Sequence, residues 1–157
     1  MTPRVLFAIP GDPETPTGGY VYDARLRDAA PRAGLDLPLL RLPAGFPDPS
    51  ATALAETLAL LAGADAPLLI DGLALGVLPA DAIRALPAPV IAMHHHPLGL
   101  ETGLTPARSA VLIASETAAL AACAHVIATS RTTAETLAAK LGVPAGKITV
   151  AAPGLDR

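Results

Sequence analysis

The chain has 157 residues, 52% of them hydrophobic and 16% charged, with a formal net charge of −3. That is the usual length of one domain, and so apolar a composition excludes intrinsic disorder. The basic residues are scattered, aromatics make up 3% and Trp is absent, which argues against both basic-patch and base-stacking nucleic-acid binding. The single cysteine, Cys123, rules out an internal disulfide framework and fits a cytoplasmic location. The first ten residues are too short and too early interrupted to read as a signal peptide. No apolar run reaches the roughly 18–20 residues of a membrane span.

In chain order, residues 4–10 form a continuous apolar run, as expected of a buried parallel strand. A Gly/Pro/Asp-rich loop over 11–17 follows. Residues 18–33 read as a helix with Tyr20, Val21, Ala24 and Leu26 as its apolar surface and Gly34 just past its end. A second strand is expected over 36–42. Ser50 is the N-cap of a helix over 51–61. A third strand over 67–70 ends at Asp71-Gly72, and a short helix lies near 79–86. The fourth strand, 89–94, runs into His94-His95-His96. Thr105 and Pro106 read as N-cap and first residue of a long helix to about 123. A fifth strand covers 125–129. Ser130 caps a helix with Ala134, Leu137, Ala138 and Leu141 on one face, stopped by Gly142 and Pro144. A sixth strand covers 148–151.

Strands alternating with helices predict an α/β, Rossmann-like three-layer α/β/α sandwich with a mostly parallel sheet of about six strands. In such folds ligands bind outside the carboxyl ends of the strands. The unusual residues fall there: Gly18-Gly19, Asp71-Gly72, the three histidines, Ser130 and Pro153-Gly154. That convergence predicts one site on one rim.

Each motif has a plain reading beside the functional one. Gly18-Gly19 opens a helix and suits a phosphate approaching its N-terminus, or is a turn only. No G-x-G-x-x-G is present. The stretch from Gly142 to Lys147 is one residue short of a Walker loop, lacks the Ser/Thr and precedes a strand. The histidines make a poor metal site, because successive strand residues face opposite ways and a catalytic zinc needs about three protein ligands. At least one is expected in the core, and one or two are expected to bond a substrate hydroxyl or act as a base. Glu101, in the following loop, and Glu116, mid-helix, each read as a solvated carboxylate or a site residue. Asp71 faces the cleft or only makes a turn. Ser115 and Ser130 are not hydrolase nucleophiles, since no G-x-S-x-G is present; Ser130 reads better as a cap.

These rim residues resemble the N-terminal domain of a family 4 glycosyltransferase with the GT-B fold. The resemblance rests on the first strand leading to Gly18-Gly19-Tyr20 and on the segment 90–97 ending in His95 and His96. It rests further on the block from Glu116 to Ser130 and on the terminal stretch 143–156, VPAGKITVAAPGLD. It spans essentially the whole chain. Ala124 and His96 stand where the family often has Asp. The resemblance implies half of a GT-B enzyme: this domain, 1–157, binds mainly the acceptor. A C-terminal domain absent from this chain binds a nucleotide-sugar donor. It implies retention of anomeric configuration, no metal and no cofactor beyond the donor as co-substrate. Gly18 and Gly19 would approach the donor phosphates and His95 would be the catalytic residue beside the transferred sugar. Tyr20, His96, Glu101 and Ser130 would contribute to substrate binding. A half cleft predicts that the chain alone is inactive, and its uncovered face predicts weak self-association. The rival readings are a stand-alone flavodoxin-like module for a small ligand or nucleotide, a hydrolase using Asp71 with a histidine, and an interaction domain.

Overall fold

A computed structural model describes residues 1–154. Six parallel strands form one sheet in the order β2-β1-β3-β4-β5-β6. They are β1 (Leu6–Pro10), β2 (Leu39–Leu42), β3 (Leu68–Asp71), β4 (Val90–His94), β5 (His125–Ala128) and β6 (Ile148–Val150). The helices are α1 (Gly18–Ala29), α2 (Ala51–Ala62), α3 (Gly72–Leu75), α4 (Ala80–Arg84), α5 (Pro106–Ala122) and α6 (Arg131–Leu141). All six expected strands are present. The second is shorter than expected because Pro38 has no N–H to donate, leaving only an isolated bridge at Asp36 before it. The four-residue α3 has no periodicity to betray it.

Local chemistry explains the boundaries. The side chains of Thr17, Ser50, Thr105 and Ser130 each accept a backbone N–H in the first turn of the following helix, satisfying donors that have no partner within the helix. Gly142 ends α6 in the left-handed region at φ 65°, where a Cβ would be strained. Among the described residues no helix is long and apolar enough to cross a membrane.

The strand order fixes the layers. The crossover from β1 to β2 runs one way along the sheet, and every later crossover runs the other way. Right-handed crossovers then place α1 on one face and the other helices on the opposite face. The side-chain alternation agrees. Ala8, Leu68, Ile70, Val90, Ala92, Val126 and Ala128 point into a large core with Leu61 of α2, Leu120 of α5 and Leu137 of α6. Phe7, Ile9, Leu69 and Met93 point to a smaller core under Leu26 of α1 and Ala30. The sandwich is therefore uneven, with a single helix and its 3-10 extension (Ala30–Ala33) forming one outer layer. The apolar surface expected of that helix is corrected by this packing. Val21 and Ala24 are exposed, while Asp23 and Ala30 are buried beside half-buried Leu26.

Candidate active site at the strand ends

The topology reverses between β1 and β3, and a crevice at such a switch point is where doubly wound sheets bind ligands. Three side chains meet there. Asp71 ends β3 and pairs in register with Met93, so Asp71 and His95 both lie on the α1 side of the sheet. Asp23 comes down from α1. His95 Nε2 lies 3.0 Å from Asp23 Oδ1 and 3.6 Å from Asp71 Oδ2. Both carboxylates are nearly inaccessible, at 1% and 3% side-chain exposure, whereas the imidazole keeps 23%. Asp71 also accepts the Leu73 N–H at 2.9 Å, capping α3.

The ring of His95 is held from several sides. Gly19 packs against it so closely that a Cβ there would sit 3.3 Å from His95 Cδ2. Tyr22 meets it edge-on, 5.4 Å between ring centroids, with its hydroxyl donating to the Ala151 carbonyl at 2.7 Å. Thr133 donates to the His95 carbonyl at 3.0 Å. The exposed edge of the ring opens into a groove of about 720 Å³ between α1 and the segment after β6. Its walls include Gly18, Gly19, Arg25, Arg32, Thr129 and Pro153.

The electrostatics follow from burial. Desolvation raises Asp71 to about 7, and the neighbouring Asp23 charge adds to the rise against the Leu73 hydrogen bond and His95. For His95, burial disfavours the cation, but the hydrogen bond and charge of Asp23, with Asp71 adding, outweigh it and raise its pKa above the ordinary value. Tyr20 is pushed up to about 12 by desolvation and then by Asp71, Asp23 and Asp12. One ligand atom each from Asp23, Asp71 and His95 lies within 4.8 Å of the others, a spacing three metal ligands also show. The contact between Nε2 and Asp23 is equally that of a hydrogen bond.

A family model for Glycosyltransferase Family 4 matches residues 11–157. The chain belongs to this family. A crystal structure of Anabaena Alr3699/HepE in complex with UDP shares its fold at a TM-score of 0.60 and 18% identity. The match covers 98% of this chain and 44% of that one, so the family 4 chain described here spans under half the length of that relative. No curated protein matches the sequence.

Of the residues the sequence singles out on this family 4 domain, Gly18, Gly19 and His95 line the groove together, and Pro153 and Gly154 close it. The others are not among its walls. Tyr20 donates its hydroxyl to the Pro10 carbonyl at 2.5 Å. His96 and Glu101 are exposed outside the groove walls. Ser130 caps α6 through Thr133, the plain reading given to it above. His94 is the core histidine, 1% exposed, with Nε2 3.4 Å from Glu116. Glu116 is not a solvated carboxylate: it is fully buried and accepts the Leu98 and Gly99 N–H groups at 2.7 and 3.0 Å. Leu155 and Asp156, part of the family resemblance, lie outside the described residues. The residue that sequence reasoning missed is Asp23. Its signal is an Asp in the inward-facing stripe Gly19–Asp23–Leu26–Ala30, where the i, i+4, i+7, i+11 spacing otherwise carries small or apolar residues.

Proposed function

We propose that this family 4 domain is the N-terminal, acceptor-side half of a retaining glycosyltransferase. The enzyme moves a hexosyl-type sugar from a nucleotide-sugar donor to an acceptor, with His95 at the reacting centre. The observation that carries the reading is the groove at the strand ends, lined together by the N-terminus of α1 and an anchored histidine beside it. UDP in the HepE structure supports a nucleotide-sugar donor.

The chemistry suits these groups. Departure of a nucleoside diphosphate builds negative charge on the leaving oxygen and positive charge on the sugar. In α1 the first-turn N–H groups of Tyr20 and Val21 are taken by Thr17. Those of Gly18 and Gly19 have no such partner within a helix and, beside the positive end of the helix dipole, suit an anionic oxygen. His95 supplies an oriented hydrogen-bonding group to the transferred sugar or its acceptor. We assign the domain no metal, since the leaving group meets these fixed donors instead.

Both substrates must be held in line and water kept out, which one wall of a cleft cannot do. The 157-residue chain by itself is therefore expected to release no nucleoside diphosphate from a panel of nucleotide sugars above the rate without protein. Steady turnover by this chain alone would contradict the half-site reading. The first five strands also share the order of the flavodoxin-like fold. Tight binding of a free nucleotide or flavin, without transfer, would favour that stand-alone module.

A further inference from the structure

We propose that Asp23 and Asp71 are positioning residues that act through His95, fixing its ring by Nε2 and making it a cationic hydrogen-bond donor, rather than a base, toward the ligand in the groove. The inference deepens the transferase reading and rests on it only for what occupies the groove.

The argument begins with charge. Two carboxylates and an imidazole share a pocket that the carboxylates cannot leave. Two bare negative charges so close and so buried are strongly unfavourable. Protons are the simplest neutralisation: one shared by the two carboxylates, an oxygen of each lying within 4.8 Å of the other, and one added to a ring whose Nε2–H already faces Asp23 Oδ1 at 3.0 Å. With Nε2 committed, Nδ1 is the ring nitrogen left to a ligand, and no described residue bonds it. A second proton there completes an imidazolium, which has two donors and no acceptor. Such a ring can stabilise a ligand oxygen carrying negative charge. It cannot remove a proton from an acceptor hydroxyl until it has lost its own.

The other groups around His95 do not disturb this assignment. From α1 come Asp23, the uncharged Tyr22 phenol and, along the groove, Arg25, Asp28 and Arg32. Asp71 approaches from β3, and α6 offers only the Thr133 hydroxyl, which is spent on the His95 carbonyl. Tyr20, pushed to about 12, stays neutral beside the carboxylates. Gly19 leaves room for the ring to lie against α1 and reach Asp23.

The test is nitrogen-resolved NMR of the His95 imidazole in the 157-residue chain, with no ligand or turnover needed. It can therefore succeed or fail independently of the transferase reading. The wild type is expected to titrate above the ordinary value of about 6.5, with protons on both ring nitrogens below its midpoint. On deprotonation it should keep the Nε2–H tautomer. Asp23→Asn should lower the midpoint by about one unit or more, and Asp71→Asn by less. A wild-type midpoint at or below the ordinary value, or a neutral Nδ1–H tautomer, would overturn the proposal even if a variant fails to fold. An unchanged midpoint in folded Asp23→Asn would overturn it too. So would loss of the Nε2–H signal on adding one equivalent of Zn²⁺, which would make the cluster a metal site.

Discussion

Asp71 makes the chain's stability depend on pH in an unusual direction. Its pKa rises from 3.8 to about 7 on folding, so between those values the folded state binds more protons than the unfolded state, and stability falls as pH rises. His95 acts the same way. Its charged form is favoured by folding, so its contribution is complete below the unfolded value and is lost as pH rises through the raised one. Thermal melting should therefore give a Tm a few degrees higher at pH 5.5 than at pH 8. In Asp71→Asn the amide reproduces the protonated acid: it still accepts from Leu73 and can donate to Asp23. That variant should lose most of the slope and melt above the wild type at pH 8. An undiminished slope would show that Asp71 is ionised in the fold. At this scale the sequence was only partly legible. His95 stood out because polar residues ending a parallel strand are conspicuous. Asp23 did not, because one acidic residue in a helix otherwise reads as its solvated side, and only burial tells the two apart.

Among the elements, α5 does more than cover the sheet. Glu116 reaches from its middle into the turn Leu98–Leu100, and Ser109 donates to the Gly99 carbonyl at 2.5 Å. Ser115 donates to the Gly76 carbonyl at 2.7 Å. Neither Gly76 nor Gly99 has room for a Cβ: Leu98 Cδ1 would stand 2.7 Å from one and Ile113 Cγ1 2.5 Å from the other. One helix thus pins the loops that follow β3 and β4, which deliver Asp71 and His95. Glu116→Ala leaves two buried N–H groups without an acceptor and should destabilise the chain by about 2–4 kcal/mol in chemical denaturation. Glu116→Gln keeps one acceptor oxygen and should cost less. Equal and small losses in both would mean that water replaces the carboxylate. The helices and strands themselves were legible, because their caps and apolar runs are local signals. The reach of Glu116 was not, because its partners lie seventeen and eighteen residues earlier and carry no side-chain signature.

For the whole molecule, the strand order decides where function is placed. A single crossover in one direction leaves α1 alone on its face of the sheet, and the groove opens beside it. The alternation of strands and helices foretold the parallel sheet and the shared rim. It did not foretell the unequal layers, which follow from strand order, a long-range property that no local pattern encodes. On the proposed reading, His95 stands at the reacting centre of this groove. The direct measurement is nucleoside diphosphate release by the two-domain enzyme proposed above, comparing wild type with His95→Ala. Loss of the group that orients the sugar or its acceptor predicts a kcat lower by about 100-fold or more, with the variant still folded. A wild-type kcat in folded His95→Ala would contradict the account.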